Sequence, residues 1–387
     1  MIVESTKAQI KHGSPNIANA VLGAVPVHKF PYNWNLKDAN FTKDKGKVFS
    51  CFACGGGSTM GYKLAGFDVI GHNDIDKKMI EVYKLNHNPK YSFLESITTF
   101  AKRKDLPKEL YELDILDGSP PCSSFSMAGN REKDWGKEKV FREGQAEQVL
   151  DTLFFDFIDL AKELQPKVVV AENVKGLLLG EAKEYVIKIY KEFDKAGYYV
   201  QHFLLDASKM GVPQKRERVF FIALRKNLAQ PFLHFADMFT ELPKIEISFN
   251  EKEIPFKKVK DKNNNDYPIS DFYKTLWEKR QKGDASFANI NGRERGKENT
   301  GFGTNFLYDD NVCGTLTTKK DCYCLFDEPR YTSDTEAKKI GSYPQDYNFL
   351  GLKPSYLIGM SVPPIMTAQI STQIYEQWLS KINNYGI

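Results

Sequence analysis

Val48-Phe49-Ser50-Cys51-Phe52-Ala53-Cys54-Gly55-Gly56-Gly57 decides the fold. The apolar run over 48–52 has the length and texture of a buried strand, and it breaks into a glycine turn at 54–57. Residues 58–65 then carry a short helical pattern, and a second apolar run over 67–71 leads to Asn73-Asp74. Strand, glycine turn, helix and strand begin an open α/β sheet, where ligands gather at the carboxyl ends of the strands. Glycines in such a turn let a ligand come close to the backbone and leave helix N–H groups facing it. The turn does not fit G-x-G-x-x-G, so a dinucleotide reading is weak. Asp74 stands where a carboxylate binds ribose hydroxyls, and equally where one caps a helix. Together the turn and the acid favour an adenosine-containing cofactor.

Working outward, strands are expected at 113–116, 168–171, 198–205 and 218–224, with helices near 76–86, 146–164 and 181–196. The fold class is therefore α/β, a doubly wound, mostly parallel Rossmann-like sheet. No good helix joins the last two strands, which predicts an antiparallel pair at one edge. Residues 1–46 read as an N-terminal extension, and 47–225 as the cofactor-binding and catalytic domain. The texture changes after Leu224: Pro231, Pro243, Pro255 and Pro268 punctuate a region rich in lysine, arginine and aromatics, with a helical period only near 270–282. Residues 226–345 are expected to form a smaller domain. The stretch 346–387, helix-like over 356–379, is expected to return to the first domain.

Hydrophobic residues at 41% and charged residues at 27% of 387 describe an ordinary globular chain. No apolar run approaches the ~20 residues a membrane span needs, and the polar start does not resemble a signal peptide, so a cytoplasmic location is expected. The net charge of +4 permits a nucleic-acid partner without demanding one. Six cysteines (Cys51, Cys54, Cys122, Cys313, Cys322 and Cys324) are expected as thiols rather than bridges, and no histidine completes a zinc spacing, so no metal is expected.

Cys122 stands apart from the other five. In Ile115-Leu116-Asp117-Gly118-Ser119-Pro120-Pro121-Cys122 it follows a strand end and two prolines that fix φ and remove backbone donors. A thiol held there is a candidate nucleophile. Val168-Val169-Val170-Ala171-Glu172-Asn173-Val174 places a carboxylate and an amide where another buried strand ends; a solvated loop glutamate is the bland alternative. Gln214-Lys215-Arg216-Glu217-Arg218 enters the last strand, and alternation puts Arg216 and Arg218 on one side, suited to phosphate or carbonyl oxygens or to a surface salt bridge.

These pieces resemble the DNA (cytosine-5)-methyltransferases. The likeness runs from about 47 to 379 and keeps the family's order. It starts with the turn at Phe52, Pro120-Pro121-Cys122, Glu172-Asn173-Val174 and Gln214-Lys215-Arg216-Glu217-Arg218. Gly314-Thr315-Leu316-Thr317 follows, then Glu336-Ala337 with Gly341-Ser342-Tyr343-Pro344-Gln345-Asp346-Tyr347, and finally Ile358-Gly359-Met360-Ser361-Val362-Pro363-Pro364. The resemblance implies S-adenosyl-L-methionine as methyl donor, S-adenosyl-L-homocysteine as product, and double-stranded DNA as substrate. Cys122 would add to carbon 6 of a flipped-out cytosine, Glu172 would bind ring nitrogen 3 and the amine, Arg218 the carbonyl, and Arg216 a phosphate, with Asn173 orienting the loop. Phe52, Gly55, Gly56, Asp74, Ile75, Ser96, Ile97, Pro120, Leu153, Ser361 and Val362 would line the cofactor. Ser124, Arg216, Arg293 and Arg295 would meet DNA, and the loop 123–142 would close over the site.

The sequence departs from the family at Cys54 for a glycine, Ser123 for a glutamine, Ser96 for an aspartate and Met360 for an asparagine. None of these touches Cys122, Glu172 or Arg218. A monomer is expected, compatible with the modification arm of a restriction–modification system beside a cognate endonuclease. Two other readings are a transfer-RNA methyltransferase of the same fold and a DNA-binding relative without catalysis.

Overall fold

A computed structural model describes residues 28–121, 152–180, 182–235, 240–262, 264, 266–296, 303–319, 321 and 323–385, with the backbone alone at 138–139, 148–149 and 384–385. Seven strands form the main sheet: β1 (Lys47–Cys51), β2 (Asp68–Asp74), β3 (Tyr91–Leu94), β4 (Ile115–Gly118), β5 (Val168–Val174), β6 (Tyr198–Asp206) and β7 (Glu217–Arg225). Their order is β3-β2-β1-β4-β5-β7-β6. β1 to β5 pair in parallel, and β7 runs antiparallel to both of its neighbours. The expected antiparallel pair is present, with the later strand inserted and β6 left at the edge.

β2 ends at Asp74 as expected, carrying the polar residues His72 and Asn73, whereas β5 runs beyond its expected end at Ala171 through Glu172 and Asn173. Polar residues there look like loop in the sequence, yet His72 and Asn73 are buried and keep their ladder partners. β3, a half-exposed edge strand of four residues, carries no sequence signal strong enough to predict it.

Alternation along the strands builds two core layers. Phe49, Leu116, Val169 and Phe221 face α3 (Ile97–Phe100), α4 (Leu153–Leu164) and α5 (Ala182–Lys195). In α4, Phe154, Phe157, Ile158 and Ala161 recur at helical spacing, which buries one face. The helix expected from 146 begins at Leu153; Gln148–Val149 instead pairs with Glu138–Lys139. Val48, Ile115, Val170 and Ile222 line the opposite layer with Tyr62 of α1 (Gly57–Leu64). α2 (Lys77–His87) follows β2, its first turn capped by the Asp76 carboxylate.

Residues 226–345 hold two short strand pairs and more helix than the sequence pattern suggested. α6 (Asp271–Glu278) and α7 (Phe287–Arg295) share a small core of Ile269, Leu276, Phe287, Ile290 and Phe306. α8 (Asp334–Ile340) leads back toward the sheet. The helical stretch expected over 356–379 is broken by Ser361-Val362-Pro363 into α9 (Pro354–Met360) and α10 (Pro364–Ile374), then a π turn at Tyr375–Leu379. α10 supplies Ile365, Met366, Ile370 and Ile374 to the α1 layer. A third cluster joins Cys54 and Met60 to Phe256, Leu316, Tyr343 and Ile358, so both later regions pack on the glycine turn. From the N-terminal stretch, Trp34 donates to the Ser342 carbonyl at 2.9 Å. No helix among the described residues is long and apolar enough to cross a membrane.

Candidate active site

Parallel pairing aligns the carboxyl ends of β1, β2, β3 and β4, because Cys51 lies beside both Asn73 and Gly118, and Asp74 beside Leu94. The chain leaves β1 through left-handed residues at Phe52 (φ +52°), Cys54 (φ +47°) and Gly56 (φ +85°). That conformation costs a side-chain-bearing residue about 1–2 kcal/mol. Cross-links offset it: Ala53 N–H donates to the Asn73 carbonyl at 3.3 Å and Gly56 N–H to Ala53 at 2.8 Å. Cys54 N–H donates to the Asp74 carboxylate at 2.8 Å, and Asp76 N–H to its other oxygen at 2.9 Å. Asp74 therefore fastens the turn to the start of the α2 segment, while the helix cap itself is Asp76 and not Asp74.

The C-terminal segment arrives at the same place. A Cβ on Gly57 would lie 2.4 Å from the Val362 carbonyl oxygen, so only glycine lets the start of α1 meet Ser361 and Val362 this closely. Ile75 is half-buried beside Asp74, and Phe52 is half-buried with its ring 6.4 Å from that of Phe157. Ser96 spends its hydroxyl on capping α3, accepting from Thr99 N–H at 3.1 Å. Ile97 and Leu153 are 2% and 1% exposed and belong to the core beneath the strand ends.

Glu172 and Arg218 meet at the carboxyl end of β5, two strands along from β1. Arg218 Nε lies 2.9 Å from Glu172 Oε1, with the side chains 15% and 12% exposed. Because β7 runs backwards, its beginning lies at the carboxyl end of β5, where Arg218 pairs with Val174. Burial lowers the Arg218 pKa, and Glu172 opposes that shift, so the guanidinium stays charged at neutral pH. Asn173 donates to the Pro120 carbonyl at 3.2 Å, tying the end of β5 to the Pro-Pro turn. Cys122, Ser123, Ser124 and all but residues 138–139 of the loop 123–142 lie outside the described residues. Pro121, the residue before Cys122, is described, and Asn173 holds the carbonyl just ahead of it.

Arg216 is 2% exposed and faces inward. Its terminal nitrogens donate to Leu316 O at 3.2 Å and to Gly359 O at 2.9 Å, joining segments 100 and 143 residues away. Neighbouring Gln214 extends the junction, its side chain accepting from Leu316 N–H at 3.2 Å. Arg293 forks onto Asp284 and donates to the Lys279 carbonyl at 3.2 Å, away from the strand ends, while Arg295 is exposed on the same helix.

Asp117, on β4, is an acid within an apolar strand. It is buried beneath the site, accepting from Ser50 Oγ at 2.7 Å and from the Tyr62 hydroxyl at 3.2 Å. Burial pushes its carboxyl up to about 7, against the pull of the two hydroxyls. An acid inside an apolar strand was the signal that could have singled it out.

The family model described as C-5 cytosine-specific DNA methylase matches residues 46–376. Among curated proteins, type II methyltransferase M.FnuDI of Fusobacterium nucleatum is 38% identical over 182 residues, 47% of this chain and 48% of that protein. Type II methyltransferase M.NgoPII of Neisseria gonorrhoeae is 36% identical over 186 residues, 48% of this chain and 50% of that protein. The chain thus spans about half the length of the curated relatives it matches. Among solved structures, a DNA modification methyltransferase encoded within an E. coli prophage superposes with a TM-score of 0.59 at 21% identity, covering 86% of this chain and 99% of that one. The S. pombe Dnmt2 methyltransferase gives 0.56 at 15% identity, covering 86% and 98%. These two likenesses concern the fold.

Proposed function

The chain belongs to the C-5 cytosine-specific DNA methylase family, and on that footing we propose that it methylates carbon 5 of cytosine within a specific duplex DNA sequence. The observation that carries the reading is the half-buried Glu172–Arg218 pair, near the Asn173-anchored turn that leads to Cys122.

Carbon 5 of cytosine is a poor nucleophile until a thiolate adds to carbon 6. Cys122 supplies that thiolate in this reading, and once carbon 5 carries the methyl group, loss of the carbon 5 proton to solvent base expels the thiolate and restores the aromatic ring. Glu172 hydrogen-bonds ring nitrogen 3 and the exocyclic amine, handing over a proton as charge builds on the ring. Arg218 has a side chain already oriented by Glu172 and binds the carbonyl oxygen. Asn173 acts through the turn, fixing the carbonyl two residues before Cys122. A base inside a duplex cannot reach this cleft, so the target is flipped out of the stack.

The residues present fit S-adenosylmethionine. Asp74 and the apolar Ile75 at the end of β2 stand beside the glycine turn that leads from β1 into a helix, an acid and a turn suited to a ribose and its neighbours. Phe52, Gly55, Gly56, Asp74, Ile75 and Pro120 would hold the cofactor, with Ser361 and Val362 at its methionine end. When bound, it supplies an electrophilic methyl group. Ser96, Ile97 and Leu153 support the pocket from the cap and the core. Arg216 serves as a junction inside the protein. Residues 226–345 are read as the DNA-reading domain, where Arg295 is a contact and Arg293 shapes the helix that carries it.

The chain is read as the modification arm of a restriction–modification system. The decisive experiment expresses it in a methylation-free host and maps 5-methylcytosine in DNA at base resolution, with purified transfer RNA assayed in parallel. Methylation of one DNA sequence, lost in Cys122→Ser and at least a hundredfold slower in Glu172→Gln, is the expected result. Methyl transfer to transfer RNA alone would overturn the DNA reading, and full activity in Cys122→Ser would overturn the covalent step.

A further inference from the structure

Behind the glycine turn, two side chains close on the peptide between Gly55 and Gly56. The Tyr347 hydroxyl donates to the Gly55 carbonyl, which therefore faces the protein interior. His87 lies beside Tyr347, the two ring centroids 5.9 Å apart. A Cβ on Gly56 would sit 2.3 Å from His87 Nε2, so the imidazole rests directly on the turn. That Nε2 is fully buried, and the Gly55 backbone is the polar group it faces.

The tautomer follows from Lys63. Its ammonium lies 3.5 Å from His87 Nδ1 and 3.2 Å from the His87 carbonyl, and an ammonium can only donate. Nδ1 is then the acceptor and Nε2 carries the hydrogen. Burial, reinforced by Lys63 and His72, holds the imidazole well below its usual range, so the ring stays neutral at physiological pH. What remains is a buried N–H beside the Gly55–Gly56 peptide. Phenylalanine would fill the same space without a polar atom, and a buried polar atom is kept where it has a partner to meet.

Both side chains are clamped where they stand. Asn86 donates to the Asn348 carbonyl at 2.8 Å, and Asn348 N–H donates back to Asn86 at 2.8 Å. The residue before His87 is thus locked to the residue after Tyr347. Tyr83 packs its ring 4.6 Å from His87 and stacks on His72 at 3.6 Å.

We propose that His87 and Tyr347 are positioning residues of the cofactor turn, gripping the Gly55–Gly56 peptide from within so that its outer face is set for the methyl donor. The proposal rests on the reading that this turn holds S-adenosylmethionine. It assigns neither side chain a contact with the cofactor.

The test titrates S-adenosylhomocysteine calorimetrically into the full chain and into His87→Phe, His87→Gln and Tyr347→Phe, with duplex DNA affinity and thermal unfolding measured on each. His87→Phe and Tyr347→Phe are expected to weaken S-adenosylhomocysteine about tenfold, the effect of one lost buried hydrogen bond, while DNA affinity stays unchanged. His87→Gln, which keeps a donor, is expected within about threefold of the unaltered chain. Should His87→Phe fail to fold, Tyr347→Phe decides, since it removes a single oxygen. Unchanged affinity in the folded phenylalanine variants overturns the proposal alone. An unaltered chain that does not bind S-adenosylhomocysteine overturns the cofactor reading and this proposal with it.

Discussion

Asp117 carries its carboxyl into the core with two hydroxyls for partners and no salt bridge among the described residues. Its pKa is raised from 3.8 to about 7, so the folded state disfavours the ionised form. The sign follows directly: stability is greatest below the ordinary carboxyl value and falls as pH rises toward 7. Asp117→Asn keeps the shape without the charge. In urea unfolding the variant should match the unaltered chain near pH 4 and exceed it at pH 8, by about 4 kcal/mol at most. An equal difference at both pH values would show that this carboxyl does not titrate in that range. Single charged residues were the most legible part of the site, because Asp74, Glu172 and Arg218 interrupt apolar runs and so announce themselves. What each one touches was not legible. Arg216 alternates with Arg218 and was read as its partner toward DNA, yet its guanidinium lies inside the protein on two carbonyls.

At the scale of elements, the site depends on how strand ends are tied to the turns beyond them. Asn173 is the tie between β5 and the Pro120 carbonyl. Asn173→Ala should cost about 1–3 kcal/mol of stability, the loss of its bonds to the Pro120 carbonyl and from Val174 N–H, but lower kcat at least tenfold with the KM for S-adenosylmethionine unchanged. A proportionate change in both constants would make the residue merely structural. Gly57 is the corresponding point on the cofactor side. Gly57→Ala must push the Val362 carbonyl away from its 2.4 Å approach. Calorimetry with S-adenosylhomocysteine should show at least tenfold weaker binding, with a stability loss of about 1–3 kcal/mol. Strand positions were readable from apolar runs, but the end of β5 was not. It continues through Glu172 and Asn173, polar residues that do work at the site, where local pattern and tertiary role disagree. α7 escaped notice because its exposed face is polar and only Phe287, Ala288 and Ile290 are buried.

Across the whole molecule, Arg216 fastens the start of β7 to the segment at Leu316 and to the end of α9 at Gly359. Methionine fills similar space but donates nothing. Arg216→Met is expected to lower stability by about 2–3 kcal/mol, two buried carbonyls left without donors, and to broaden the thermal transition as the small region and the sheet cease to melt together. A single sharp transition at an unchanged Tm would contradict this. Such junctions leave no trace in a local reading, because their partners are 100 and 143 residues apart and each half looks ordinary. The order of the motifs along the chain was visible, and their meeting point was not. That separation also sets a timetable for synthesis. β1 to β5 can pair once residue 174 has left the ribosome, whereas Gly57 and Arg216 acquire their partners only after residues 359–362 emerge. A nascent chain therefore owns a sheet long before it owns a working cleft. Polypeptides stalled or cut short ahead of residue 359 should leave DNA unmarked, so a cell's methylating capacity would track finished protein rather than translation under way.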